Sequence, residues 1–374
     1  MSRFYILHEC YAPNTASTVR LTGLLKELSA CGIDTHVLFF IGDENQSESP
    51  ELPHIHFEYY WKRCPLRNTK IQVLLFYFVY SWLFWLRVHA GDTVYLDRCD
   101  QLVGPLSRKK KVRVFQERTE HPEVSHFGLV NLDSYFRACR RLTGLFVISS
   151  ALKELYIGKG VDKNRIHIIN MTVDRTRFEG LTKTNGVEDY VAYCGSAMMA
   201  KDGLDQLLKA FSYVAQKYDN LKLYIIGPIS RKGASPVVSQ LIESMGISEK
   251  IVFTGVVPSS QMPQMLKDAQ LLTLARPDNL QAKYGFPTKL GEYLLTGNPV
   301  VVTAVGDIPL FLEDGGSAFI AHPDSPLEFA NKMLMALGNP TLAQIVGDRG
   351  RQVAIMHFDS KHEADKIISI LFEK

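Results

Sequence analysis

The stretch Tyr284-Gly285-Phe286-Pro287-Thr288-Lys289-Leu290-Gly291-Glu292-Tyr293-Leu294-Leu295-Thr296-Gly297-Asn298-Pro299-Val300-Val301-Val302-Thr303-Ala304-Val305-Gly306 decides how the chain is read. Gly285 and Pro287 punctuate a loop, and Thr288 stands where a helix N-cap would fall. Leu290, Leu294 and Leu295 then recur at helical spacing and give a short helix one apolar stripe. Gly297 is placed for a left-handed C-cap, and Pro299 bars further helix. Val300 to Val302 is the continuous β-branched run of a parallel strand covered on both faces. Loop, helix, turn and buried strand in that order make one unit of an α/β domain. Amides at such a helix start suit an anion or sugar hydroxyls, and Glu292 lies about one turn in.

These residues resemble the donor-site segment of retaining glycosyltransferases of family 4. Members carry two glutamates eight positions apart, then a small-residue helix and Gly-x-Pro-Val-Val. Glu292 with Gly297-Asn298-Pro299-Val300-Val301 fits the second half, and Tyr284 stands in the place of the first glutamate. Phe286-Pro287-Thr288-Lys289 followed by Glu292-Tyr293-Leu294 is similar to a branch common in bacterial surface-polysaccharide clusters, of lipopolysaccharide or capsule. The fold that the resemblance implies is α/β of GT-B type, two Rossmann-like doubly wound domains facing across a cleft. It runs along nearly the whole chain and is strongest in the last third.

A chain of 374 residues is too long for one small core and divides naturally into two domains of roughly 170 residues. The expected boundaries are 1–178 for an acceptor-side domain and 187–358 for a nucleotide-sugar domain, with a last helix over 359–374 returning to the first. The polar run Glu179 to Glu188 reads as the linker. Cys10, Cys31, Cys64, Cys99, Cys139 and Cys194 follow no metal or paired spacing, so free thiols in a reducing cytoplasm are expected. The apolar run from Phe4 to Leu7 is too short for a secretion signal. The net charge of +3 hides an asymmetry. Residues 1–185 hold 25 Lys+Arg against 19 Asp+Glu, a balance of +6, and the remainder holds 17 against 20, a balance of −3. A basic first half suits an anionic membrane surface or a phosphorylated lipid. No recognised nucleic-acid module accompanies the charge.

In the first half, Phe4 to Leu7 reads as a strand, Thr18 to Ala30 as a helix with Leu21, Leu24, Leu25 and Leu28 on one face, and His36 to Phe40 as the next strand. That is a βαβ start with a right-handed crossover. The first loop of the family is often glycine-rich near the donor phosphates; here Asn14-Thr15-Ala16 stands there. Ile71 to Val88 is unusually apolar, with Trp82 and Trp85 inside it and Lys62, Arg63, Arg67 and Lys70 just ahead. As a helix of about 27 Å it is marginal for crossing a bilayer. Crossing would also put strands of one sheet on opposite sides of the membrane. Two readings stay open: a buried core helix, or a helix resting in the headgroup layer beside basic residues. Glu117-Arg118-Thr119-Glu120-His121 ends a strand where open α/β sheets present their ligand loops. The resemblance places His121 against the donor sugar and makes Glu9, Arg20, Glu117, Arg118 and Glu120 acceptor-side residues.

In the second half, Tyr190 to Gly195 is a strand leading through Ser196 and Lys201 to a helix with Leu207, Leu208 and Phe211 on its core face. A strand-end glycine lets a phosphate approach the backbone, and a nearby lysine supplies a point charge. The family has an arginine after this glycine and a lysine about five residues on; Lys201 matches the second, and Ser196 replaces the first. Gly227 and Gly255 end two further strands, and by the resemblance Val256 and Val257 touch the base. Gly195, Ser196, Gly227, Val256, Val257, Tyr284, Gly285, Phe286, Pro287, Thr288 and Lys289 are thus the implied donor site, with His121, Lys201 and Glu292 as its chemical centre. Glu292 would accept the ribose hydroxyls, since one carboxylate takes two donors.

The activity implied is transfer, with retention, of a sugar from a nucleotide-diphosphate sugar to a hydroxyl of a glycan or lipid-linked acceptor. Lysines, amides and helix N-termini can stabilise the departing diphosphate, so neither metal nor cofactor is expected. The place is the cytoplasm, at the inner face of the membrane where the acceptor is lipid-linked. Two rivals share the architecture: a nucleotide-sugar 2-epimerase, which would act without an acceptor, and a non-catalytic nucleotide-sugar binder.

Overall fold

The computed structural model describes residues 2–10, 16–41, 50–60, 70–125, 131–195, 199–228 and 236–373. The chain divides into two units, Met1–Asn170 with Ser360–Lys374, and Met171–Asp359.

The first unit starts with β1 (Phe4–Cys10), α1 (Ala16–Ala30), β2 (Thr35–Ile41), β3 (Ile55–Tyr59) and α2 (Lys70–Arg87). It continues with β4 (Thr93–Asp97), α3 (Asp100–Leu106), β5 (Arg113–Arg118), α4 (Pro122–Ser125) and α5 (Leu132–Cys139). Then come β6 (Gly144–Val147), α6 (Ser150–Gly158) and β7 (Ile166–Ile168). The seven strands lie in the order β3-β2-β1-β4-β5-β6-β7 and pair in parallel. Phe4 to Leu7 and Val94 to Leu96 are buried without alternation, as strands covered on both faces must be. Leu21, Leu24, Leu25 and Leu28 of α1 face this sheet. The order reverses between β1 and β4, so the carboxyl ends of those two strands flank the crevice where open sheets bind ligands.

The helix α2 is neither wholly buried nor wholly exposed. Tyr77 and Phe84 turn inward, whereas Phe78, Val79, Trp82, Leu83 and Leu86 face out. Among the described residues no helix is long and apolar enough to cross a membrane.

The second unit opens with β8 (Tyr190–Cys194), α7 (Met199–Asp202), α8 (Leu204–Ala215), β9 (Lys222–Ile226) and α9 (Pro236–Ser244). Next are β10 (Ile251–Gly255), α10 (Met262–Asp268), β11 (Leu271–Leu274), α11 (Leu280–Tyr284), α12 (Thr288–Leu295) and β12 (Val300–Thr303). The unit closes with α13 (Ile308–Phe311), β13 (Phe319–Ala321), α14 (Pro326–Gly338) and α15 (Pro340–His357). Its six strands are ordered β10-β9-β8-β11-β12-β13, again all parallel. Val300, Val301 and Val302 are buried, and Gly297 takes φ +70° after α12 as a left-handed stop. Thr288, expected as the N-cap, is instead the first helical residue: Pro287 holds the cap position with no side-chain bond.

Met171 to Phe178, expected in the first domain, lies in the second unit. The Val173 amide donates to the Phe358 carbonyl at 2.8 Å. A Cβ on Gly291 of α12 would sit 2.4 Å from Met171 Cε, so that glycine lets the segment lie against the helix. The last helix, α16 (Ser360–Phe372), belongs to the first unit. It lays Ala364, Ile367 and Leu371 into the core beneath α1, and Glu363 accepts the Asn170 amide at 2.7 Å.

Candidate active site

The second sheet presents three glycine-ended strands side by side. Gly195, just past β8, donates its amide to the Ile226 carbonyl at 2.8 Å, and Gly227, just past β9, donates to the Gly255 carbonyl at 3.1 Å. Gly195 and Gly227 hold φ of 157° and 149°. A Cβ on Gly227 would come within 1.9 Å of the Gly195 carbonyl oxygen. Only glycine permits these strand ends to approach so closely.

Lys289, in the first turn of α12, lies directly over Gly195: a Cβ there would be 2.0 Å from its Nζ. The ammonium donates to Asp202 Oδ1 at 3.0 Å and to the Tyr193 hydroxyl at 3.1 Å. The Tyr193 hydroxyl in turn donates to Asp202 Oδ2 at 2.6 Å. Burial pushes the Lys289 pKa down, and the Asp202 carboxylate opposes it. Burial would raise Asp202, but Lys289 and the bonds from Tyr193 and Lys289 hold it below the usual carboxylate range. The Arg276 guanidinium adds positive charge felt by both. Its Nε also donates to the carbonyl of Lys201, which is half-buried on α7.

Glu292, one turn further along α12, accepts from Arg177 Nη1 at 2.5 Å. Arg177 Nη2 reaches on to the Ser259 carbonyl at 3.1 Å. That bond ties the carboxylate to the loop after β10, where Val256 is 78% exposed. Gly255, Gly227, Gly195, Lys289 and Glu292, with the Val256–Val257 loop, therefore form one continuous edge of this unit. Ser196 lies outside the described residues.

The segment Tyr284–Pro287 differs from expectation in two respects. Phe286 is buried, its ring 5.7 Å from that of Phe311 and 5.4 Å from that of Phe358, so its side chain belongs to the core. The Gly285 amide is committed to the Gln281 carbonyl at 3.0 Å, where it caps α11, and Pro287 has no amide hydrogen to offer. Tyr284 is half-buried at the end of α11.

In the first unit, Arg20 and Glu117 turn to each other. Arg20 Nε meets Glu117 Oε1 at 2.5 Å, and its Nη1 meets the Asn170 carbonyl at 2.5 Å. The Tyr95 hydroxyl donates to the other Glu117 oxygen. These side chains, expected at an acceptor, tie α1 to β4, β5 and the end of β7. Arg118 is likewise no surface residue: it is 1% exposed and pairs with Asp100 at 2.9 Å. Glu120 is half-buried. Glu9 is in β1, and its side chain lies outside the described residues.

His121 is buried just before α4, and its Nδ1 accepts the Glu123 amide at 3.2 Å, which leaves Nε2 to carry the proton of the neutral ring. Burial lowers its pKa.

Sequence reasoning missed Arg177, Tyr193 and Asp202, and also a pair beside the switch point of the first sheet. His8 Nε2 lies 2.8 Å from Asp97 Oδ2, at the carboxyl ends of β1 and β4. Burial would raise Asp97, yet the histidine and Arg98 and Arg118 bring it down to about 2. The available signal was a polar residue closing each of two apolar strands.

Two parallel-sheet, Rossmann-like units define the architecture of the GT-B glycosyltransferases. A solved structure of the Anabaena protein HepE in complex with UDP superposes with a TM-score of 0.74 over 99% of both chains at 16% identity. Residues 188–339, all within the second unit, match the family model described as Glycosyl transferases group 1. Mannosylfructose-phosphate synthase of Agrobacterium fabrum is 23% identical over 223 residues, 56% of this chain and 45% of that protein. D-inositol 3-phosphate glycosyltransferase of Segniliparus rotundus is 24% identical over 164 residues, 44% of this chain and 35% of that protein. The chain thus spans less than half the length of these two relatives.

Proposed function

We propose that the chain is a family 4 glycosyltransferase that takes a nucleotide-diphosphate sugar as donor and transfers the sugar, with retention, to a hydroxyl of a glycan or lipid-linked acceptor. One observation carries the reading: three strand-end glycines lie edge to edge in the second unit, with the Lys289 ammonium over the first of them. Backbone that bare admits a diphosphate at contact distance, and the lysine supplies charge where the leaving group gathers it. The match of residues 188–339 to a glycosyltransferase model and the likeness to a UDP-bound protein support the same assignment. In this proposal Lys289 and Lys201, with Arg276 behind them, balance the diphosphate. Glu292 takes the ribose hydroxyls, with Arg177 holding its carboxylate in place. Val256 and Val257 cover the base.

Retention follows if the departing phosphate takes the acceptor proton from the face it leaves. The acceptor class is that of bacterial surface-polysaccharide assembly, and the working place is the inner face of the cell membrane. Among the described residues no group of three or more His, Cys, Asp or Glu side chains is gathered to hold a metal ion. Because Lys289, Lys201 and Arg276 balance the diphosphate in this proposal, transfer is expected to survive EDTA.

The test is a thermal-shift titration with nucleoside diphosphates and their sugars, followed by product analysis with and without acceptor. A site ligand stabilises the native state by about 2.7 kcal/mol at a hundredfold excess over Kd, and the transition temperature rises with it. If no nucleotide shifts the transition, the donor-site assignment is wrong. If the sugar isomerises without acceptor, the enzyme is an epimerase.

A further inference from the structure

The first unit holds a cavity of about 480 Å³ between α2 and α3, lined by Tyr77, Phe78, Trp82, Trp85, Leu102 and Pro105. That size is typical of a small-ligand pocket. Its rim is continuous with the outward face of α2, where Phe78 is 71% and Trp82 54% exposed beside Val79, Leu83 and Leu86. One polar group of the helix, the Ser81 hydroxyl, also lines the cavity, buried and without a hydrogen-bond partner. Five large apolar side chains exposed together on one helix mark an interaction surface.

What should cover it is indicated by charge. Arg108, Lys110 and Lys111 are exposed in the turn after α3. Lys109, between them, donates to the carbonyls of Trp85 and Val88 and stands 4.2 Å over the Trp85 ring. The lysine thereby fastens the basic run to the carboxyl end of α2, at the side of the apolar face. Tryptophan at an apolar–polar boundary, flanked by cations, is the pattern of a helix lying in the headgroup layer of an anionic bilayer.

We propose that α2 docks on the surface of an anionic membrane and that the cavity between α2 and α3 receives one acyl chain of a phospholipid from that bilayer. The docked face would set the depth of Trp82 and Trp85, and the basic run would sit among the headgroup phosphates. This deepens the lipid-linked acceptor reading and fails separately from it, because docking needs no sugar transfer.

The experiment uses the whole chain with vesicles of phosphatidylcholine, with and without phosphatidylglycerol. Two of the three tryptophans of the chain, Trp82 and Trp85, lie in α2 and report on the contact. The expected result is co-sedimentation with the anionic vesicles and quenching of tryptophan emission by lipids brominated along the acyl chain. The exposed double variant Lys110→Glu/Lys111→Glu, which leaves the core untouched, should weaken vesicle binding by about tenfold or more. Ser81→Phe, which fills the cavity, should keep vesicle binding and reduce the acyl-chain quenching to what the outward-facing Trp82 reports from the bilayer; quenching equal to that of the parent chain would overturn the acyl-chain assignment. If Trp82→Phe/Trp85→Phe is quenched as fully as the parent chain, the proposal is overturned. Equal binding to both vesicle types would overturn it too, as would a lipid-free dimer that Phe78→Ser dissociates. Binding of detergent monomers without any binding to vesicles would overturn the bilayer assignment.

Discussion

Exchanging Glu292 for alanine would remove the counter-charge of Arg177 and, with it, the acceptor proposed for ribose hydroxyls. The pair is about a quarter exposed on each side, so its loss should cost the fold only about 1 kcal/mol. The loss of a charged acceptor should weaken nucleotide affinity about tenfold or more. Calorimetric titration with the diphosphate separates the two effects: an unchanged Kd beside a lowered melting temperature would reduce Glu292 to a structural ion pair. The buried pair in the first unit makes a different prediction. Asp97 is held to about 2 against an ordinary 3.8, so the native state binds its proton later than the unfolded chain does. Its contribution is complete above the unfolded value and is lost as pH falls from 3.8 to about 2. The amount is about 2 kcal/mol. Asp97→Asn should therefore flatten the acid limb of the stability curve between those limits relative to the parent. Parallel acid limbs would mean that the His8 contact does not stabilise the charged carboxylate.

At the level of elements, the strand-end glycines separate backbone freedom from site chemistry. Gly246, in the turn after α9, has φ +67° and open space within 4 Å of where a methyl group would stand, so Gly246→Ala should cost about 1 kcal/mol of backbone strain and leave nucleotide binding intact. Gly195→Ala thrusts its methyl against Lys289 and the Tyr193 hydroxyl, so it should abolish nucleotide binding as well as destabilise. Gly227→Ala meets a backbone carbonyl that cannot swing aside, at about 3 kcal/mol. Denaturant unfolding and nucleotide titration of the three variants check the series; equal binding loss in all three would show a global effect rather than a site. Gly195 and Gly227 were legible beforehand, because a glycine after an apolar run is a local mark. So were the buried strand Val300–Val302 and the stop at Gly297. Arg177 with Glu292, 115 positions apart, and Arg20 with Glu117, 97 apart, were not. Periodicity records which face of an element is apolar, and says nothing of which charged side chain from a distant element will stand opposite. The resemblance, not periodicity, set Arg20 and Glu117 on the acceptor side, and the structure shows the two holding each other. Phe286 is a related case: the resemblance placed it among the donor residues, while the rings beside its side chain come from Phe311 and Phe358.

For the molecule as a whole, the telling feature is that one unit is continuous and the other is not. The second unit runs unbroken from Met171 to Asp359, whereas the first is completed by the last helix of the chain. Ala364, Ile367 and Leu371 of that helix are all but inaccessible, Phe372 meets Phe4 edge-on at 5.3 Å, and Glu363 satisfies the Asn170 amide. Burying a leucine or isoleucine is worth about 1.5–3 kcal/mol each. Losing two of them, together with a charged hydrogen bond, removes about 5 kcal/mol or more. That is comparable with the whole stability of an ordinary domain. A chain ending at Asp359 should therefore lose cooperative structure in β1, β2 and β4 while β8, β9 and β12 stay protected. Hydrogen exchange read by peptide would show it as fast exchange over 4–10, 35–41 and 93–97, with slow exchange kept over 190–194, 222–226 and 300–303. If the truncated chain protected both sheets equally, the last helix would be an ornament on the first unit and not part of its core. A nucleotide that still bound the truncated chain would locate the donor site in the second unit by itself, independently of any substitution there.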